Sequence, residues 1–121
     1  MIIFTNLALA VAVALVESAG TPTAVNKKHG AYGPLQIRQA ALDDINAYAG
    51  THYTLRQFVG NMPLSTWAFQ LYGEINNAHT PEQFVSIWHY GATGAKREHP
   101  GDDYVERVMR LYNEANKKDG V

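Results

Sequence analysis

A single glutamate, Glu17, closes ten uninterrupted apolar residues, Leu7 to Val16. A helix of that composition has every reason to be buried, so the carboxyl group at its end loses part of its hydration. Loss of hydration disfavours a charged carboxylate, and a carboxyl kept protonated is what general acid catalysis uses. The alternative is a helix-end glutamate facing solvent, as most glutamates do. A second carboxylate for the same chemistry would have to come from Asp43, Asp44, Glu74, Asp102 or Asp103. The ordinary role of each of these is capping a helix or surface solvation.

Other chemistries find less support. The five histidines, His29, His52, His79, His89 and His99, include no pair at the i, i+4 spacing of a helical zinc site, and there is no cysteine. Disulfides and thiolate metal sites are therefore excluded, while the redox compartment stays open. The segment "GATGAK" at 91–96 has glycines and a lysine, but lacks the spacing and the Lys-Ser/Thr end of a phosphate loop.

The elements that must position Glu17 are those of one domain, residues 1–121, with 46% hydrophobic and 17% charged residues, a globular composition. A net charge of -1 gives no electrostatic footprint for nucleic acid, and Lys27-Lys28 reads as a solvated loop. The apolar run is shorter than the ~20 residues of a membrane span. No Lys or Arg precedes it, which argues against a secretion signal cleaved near Ser18–Gly20. The expectation is a first helix capped by Asn6, running to about Ser18 and buried nearly all round, with Leu9, Val13 and Val16 at the centre of the domain.

Residues 19–34 hold three Gly and two Pro without periodicity, which predicts a long loop or a small β-hairpin. A second helix is expected over 36–50, stopped by Gly50, then a short one in "TLRQFVGN" broken by "NMP". Ser65 can cap a helix over 66–79. "TPEQ" at 80–83 is a capping box with proline at the first helical position, opening a helix that carries Phe84, Val85, Ile87 and Trp88 to Gly91. A last helix starts near Asp102-Asp103, with Tyr104, Val105, Val108, Met109, Leu111 and Tyr112 as its core stripe and Glu106–Arg110 as an i, i+4 pair. The fold class is mainly α.

The stretches Glu17-Ser18, Ala24-Val25-Asn26 and Gly30-Ala31-Tyr32-Gly33-Pro34-Leu35-Gln36-Ile37 stand in the order of a known signature. Here the chain resembles the lytic transglycosylases of the lysozyme superfamily, particularly the small bacterial and phage-type members. "DDIN" at 43–46, "WHYGATG" and "YVERVMRLY" at 104–112 extend the likeness over almost the whole chain. The resemblance implies a lysozyme-like domain that cleaves the β-1,4 bond from N-acetylmuramic acid to N-acetylglucosamine in peptidoglycan. It implies Glu17 as sole catalytic acid, no cofactor, and action at the bacterial cell wall. That site would be the periplasm, or a wall reached with a phage particle or secretion assembly.

Substrate-side residues implied by the same likeness are Ser18, Tyr32, Gln36, Trp88, Tyr90 and Tyr104. Ser18 reads either as orienting acid or substrate, or as bonding its own helix. Gln36 reads as a sugar-cleft residue or as an amide tying two loops, and Tyr104 as a site residue or a core aromatic. Gly30 and Gly33 would supply positive φ and close approach to the saccharide. The chain departs from the pattern at "WHYG". The family has Tyr-Asn-Ala-Gly or Trp-Asn-Gly-Gly here, so Trp88 and His89 fall at the Tyr and Asn positions and the hydroxyl near the acid is missing, unless Tyr90 replaces it. Two other readings share the likeness: a goose-type-lysozyme-like hydrolase with a second carboxylate, and a catalytically silent peptidoglycan-binding or structural component. Trp67, Trp88 and the tyrosines would stack on sugars in any of the three, or serve the core.

Overall fold

A computed structural model of the chain describes residues 7–119; the cap expected at Asn6 lies outside them. The described chain is mainly helical, with a two-stranded antiparallel hairpin after the first helix. Its elements are α1 (Leu7–Ser18), β1 (Val25–Asn26), β2 (Ala31–Tyr32), α2 (Gln39–Ala49), one turn of 3-10 helix (Leu55–Phe58), α3 (Met62–Ile75), α4 (Pro81–Gly94) and α5 (Tyr104–Asp119). No helix among the described residues is long and apolar enough to cross a membrane.

α1 packs chiefly along α5, and α3 along α4 and α2. Leu9 and Val13 are fully buried, with Ala10, Ala12 and Ala14 beside them. The helix is not enclosed all round, however. Leu7, Val11 and Leu15, at i, i+4 and i+8, are 51%, 43% and 47% exposed, and Val16 is only partly buried. A chain of this size has too few elements to cover a helix on every side.

α2 begins three residues later than its composition suggests. Gln36 takes a left-handed φ of 57°, and Ile37 exchanges both backbone hydrogen bonds with Tyr32 at 3.0 Å, so the chain is still extended there. Gly50, at φ 70°, ends the helix as expected. α3 is capped by Asn61, whose side chain accepts from the Leu64 N–H at 3.0 Å, with Pro63 in the first turn. "NMP" thus opens this helix, and Ser65 is an interior residue, 1% exposed, whose Oγ has no partner.

The capping box before α4 forms as read: Thr80 Oγ1 accepts from the Gln83 N–H at 3.2 Å, and Gln83 Oε1 accepts from the Thr80 N–H at 3.2 Å. Gly91 breaks α4 with φ 81° and ψ 170°, and the helix resumes to Gly94. α3 and α4 approach so closely at Gly73 that a Cβ there would enter the Phe84 ring. On α5 the i, i+4 ion pair among the described residues is Arg107 to Asp103, at 3.1 Å, rather than Glu106 to Arg110. Leu35, Ile37, Leu42, Ile45, Phe58, Phe69, Val85 and Val108 complete the core around Leu9 and Val13.

The two faces of α1 make a direct test of this packing. Leu9→Ala is expected to cost about 2–5 kcal/mol, whereas Leu15→Ala is expected to stay within about 1 kcal/mol. Urea midpoints at unchanged m-value measure both.

Candidate functional site

A cleft of about 280 Å³ runs between the end of α1, the hairpin, the start of α2 and the break in α4. Glu17 enters it from the last turn of α1. That helix ends in two left-handed residues, Ala19 (φ 53°) and Gly20 (φ 76°), and the Gly20 N–H closes the end on Ala14 O at 3.1 Å. A carboxylate sits poorly at this negative end of a helix dipole, and no basic residue lies in the last turn to offset it. Local rules broken in this way are commonest at functional sites.

The compensation comes from 87 residues away. Tyr104, 3% exposed at the start of α5, donates its hydroxyl to Glu17 Oε2 at 3.0 Å. Burial first, then the Glu17 charge, push the Tyr104 phenol well above its ordinary range. It therefore stays protonated and remains a donor to the carboxylate. Asp102 fixes the first residue of α5 by accepting the Tyr104 N–H at 2.9 Å.

His89, on α4, lies on the same oxygen: its Nδ1 is 3.6 Å from Glu17 Oε2. Its ring stacks on that of Tyr104 at 3.6 Å between centroids and 10° between planes. Both protein contacts of the carboxylate fall on Oε2, so among the described residues Oε1 has no protein partner. Beyond His89 the aromatic series continues. Tyr90 meets His89 edge-on and stacks on His99 at 3.6 Å and 6°. His99 Nε2 lies 2.8 Å from Gly94 O, and since a carbonyl only accepts, that nitrogen carries the proton. Burial, then a hydrogen bond to Asp102 and the Asp102 and Asp103 charges, push the Tyr90 phenol up to about 12. In return the Tyr90 hydroxyl, with the Tyr104 N–H, holds Asp102 below the usual carboxylate range.

The residues expected at the site divide into two groups. Glu17, Gln36, Trp88 and Tyr90 line the cleft. Gln36 does both things expected of it: it faces the cleft, and its Nε2 donates to Gly33 O at 2.9 Å and Ala24 O at 3.2 Å, tying the hairpin loop to the following turn. Trp88 donates Nε1–H to Leu35 O at 2.8 Å and meets Phe69 and Tyr72 edge-on, so it anchors α4 to the wall that carries Gln36.

Ser18, Tyr32 and Tyr104 are not among the lining residues, Tyr104 meeting the site through its bond to Glu17. The Ser18 hydroxyl is engaged by Ala14 O at 3.0 Å and Pro34 O at 2.8 Å, which staples the end of α1 to the turn after β2. Tyr32 follows Ala31 in β2. Ala31 lines the cleft, and strand alternation sends its neighbour to the other side, against the core. Gly30 and Gly33 have the expected positive φ, 62° and 82°. The close neighbour of Gly33, though, is the Phe58 carbonyl, which a Cβ would strike; nothing lies within 4 Å of one at Gly30.

The hydroxyl missing from the "WHYG" turn is thus supplied on Glu17 by Tyr104, while Tyr90 points its own toward Asp102. Asn26, Arg38, Tyr72 and His89 also belong to the cleft; Asn26 and His89 stand in the motifs read from the sequence, while Arg38 and Tyr72 were not singled out. Arg38 lies two residues beyond Gln36, which was. Tyr72 carries no such signal, being one more aromatic on a core stripe. Among the described residues no group of three or more His, Cys, Asp or Glu side chains could hold a metal ion.

Comparison with protein-family models, with curated proteins and with solved structures returns no match in any of the three.

Tyr104→Phe isolates the hydroxyl while keeping the ring that stacks on His89. It is expected to lower any Glu17-dependent turnover about 10- to 100-fold, since a hydrogen bond to a charged group is worth roughly 1.5–3 kcal/mol. Steady-state kinetics alongside thermal unfolding separate that loss from unfolding.

Proposed function

We propose that the chain is a peptidoglycan lytic transglycosylase with a lysozyme-like domain, cleaving the N-acetylmuramic acid to N-acetylglucosamine β-1,4 bond with Glu17 as its one catalytic carboxyl group. The observation that carries this reading is the composition of the cleft. Among the described residues Glu17 is the one carboxylate that lines it, and the buried Tyr104 phenol donates to that carboxylate. The order of motifs along the chain supports the same reading, and so does a small hairpin between the acid-bearing helix and the rest of the domain.

In this mechanism the Glu17 carboxyl, its proton on Oε1, protonates the glycosidic oxygen as the bond to muramoyl C1 breaks. The C4 hydroxyl of N-acetylglucosamine leaves, and an oxocarbenium-like ring remains. Tyr104 stabilises the carboxylate formed at that moment through Oε2. The carboxylate then takes the proton of the muramoyl C6 hydroxyl while its oxygen attacks C1. A 1,6-anhydro ring closes and Glu17 is again protonated, so no water enters the sum. Because nucleophile and electrophile belong to one ring, proximity does the work that a second carboxylate does in hydrolases.

Four of the five carboxylates that a hydrolase would need have other partners. Asp43 accepts from Gln39 Nε2 at 2.7 Å, Glu74 from Gln70 Nε2 at 3.0 Å, Asp102 caps α5, and Asp103 pairs with Arg107. Asp44 is exposed and near enough to Tyr72 that its charge adds to the burial holding that phenol up. It is the sharpest test of the one-carboxylate route.

Glu17→Gln fills the same volume without a transferable proton and is expected to lower lysis of purified walls about 10²- to 10⁴-fold. Asp44→Asn is expected to stay within about tenfold of wild type. Wild-type turnover by a folded Glu17→Gln protein, checked by helical circular dichroism, contradicts the assignment. A loss at Asp44 as deep as at Glu17 points instead to the hydrolase.

A further inference from the structure

The chemistry proposed above leaves one charged residue of the cleft without a role. Arg38 lines the same cleft as Glu17, is exposed, and among the described residues has no carboxylate within ion-pair distance. Of the two neighbouring acids on α2, Asp43 is engaged by Gln39, and the exposed Asp44 forms no ion pair with Arg38. His89, the other basic side chain on the wall, faces Glu17. Arg38 is the cation left over for whatever enters.

Its position is not one the fold favours for its own sake. Arg38 is the residue that precedes α2, with an extended backbone (φ -115°, ψ 162°) and no capping bond from its side chain, and α2 has no acid in its first turn. A cation at that end of a helix is opposed by the helix dipole. The backbone is nonetheless well fixed: the preceding Ile37 is buried and doubly bonded to Tyr32, and Arg38 O accepts the Leu42 N–H at 3.1 Å. Ala40 and Ala41, the next residues on this wall, are too small to crowd the guanidinium.

We propose that Arg38 is a specificity-determining residue that binds a carboxylate carried by the C3 substituent of the muramoyl ring, and so sets which sugar of the alternating strand stands at Glu17. The proposal rests on the transglycosylase reading. A glycan of alternating N-acetylglucosamine and N-acetylmuramic acid offers two registers that are nearly equal in shape. They differ in charge, because only the muramoyl ring bears a lactyl ether, whose carboxylate is either free or continued by a peptide with carboxylates of its own. A guanidinium reads that difference with two parallel hydrogen bonds, where a lysine would act as a point charge. In the register that places a muramoyl C1 at Glu17 the anion meets Arg38. In the other register the guanidinium meets a neutral ring and stays unpaired.

Binding measured by calorimetry in a Glu17→Gln background, where the ligand is not consumed, tests this with three probes. They are a neutral N-acetylglucosamine tetramer, a stem-free tetrasaccharide with free lactyl carboxylates, and the same tetrasaccharide with peptide stems. The protein with Arg38 is expected to bind an anionic probe about 10- to 100-fold more tightly than the neutral one. Adding Arg38→Gln is expected to reduce all three to the neutral affinity, and Arg38→Lys to keep part of the preference. Preference for the stem-free probe assigns the lactyl carboxylate, and preference for the stem-bearing probe alone assigns the peptide. Equal binding of all three probes with Arg38 present, or a preference that survives Arg38→Gln, overturns the proposal. Should the preference hold while wild type releases no cleaved product, the catalytic reading fails and the anion site stands. Cleavage without an Arg38-dependent preference removes the anion site alone.

Discussion

A carboxylate at the C-terminal end of an apolar helix has the helix dipole against it. Here the counterweight is the Tyr104 hydroxyl, donated at 3.0 Å to Glu17 Oε2. That contact joins the start of the described chain to its last helix, and much of the architecture bears on keeping it. α1 lies along α5, with Leu9 and Val13 on the buried side and Val108 opposite them in the same core. Asp102 fixes the turn into Tyr104, and His89 stacks on the Tyr104 ring from α4. The donor reaches the acid from a rigid neighbour, at the cost of burying a phenol whose ionisation burial disfavours.

The opposite wall of the cleft is held by main-chain carbonyls. Ser18 reaches Pro34 O, Trp88 reaches Leu35 O, and Gln36 reaches Ala24 O and Gly33 O. Four residues of one turn, 33–36, are therefore tied to α1, α4 and the hairpin at once. Gly33 lets that turn press on the Phe58 carbonyl, where no side chain would fit. Side chains that look like substrate contacts in the sequence, Ser18 above all, turn out to position the residues that face the cleft.

What was legible in the sequence follows from which signals are local. The capping box at Thr80–Gln83, the stop at Gly50, the hairpin among Gly and Pro residues and the end of α1 at Ser18 depend on neighbours in the chain, and they appear where they were read. The start of α2 was misplaced because Ile37 pairs with Tyr32, a tertiary contact that overrides helix propensity. Asn61 took the cap expected of Ser65 because a proline in the first turn suits a helix opening there. In the cleft, Glu17 was visible as an acid ending an apolar run. Its partner was not: nothing local says that Tyr104, one of seven tyrosines, crosses 87 residues to reach it. Arg38 was missed for a related reason, since it sits near a residue with a stronger pattern and faces the cleft only once α2 is in place.

The proposed ring closure needs a cleft whose one carboxylate serves as acid and then base, with no water entering the reaction. Mass analysis of the soluble fragments released by the wild-type protein from purified peptidoglycan tests this most directly, because the two possible products differ by one water. The account predicts muropeptides ending in 1,6-anhydro-N-acetylmuramic acid. Fragments ending in hydrated N-acetylmuramic acid would contradict the one-carboxylate mechanism, and an intact wall after prolonged incubation with folded protein would contradict the enzymatic reading itself.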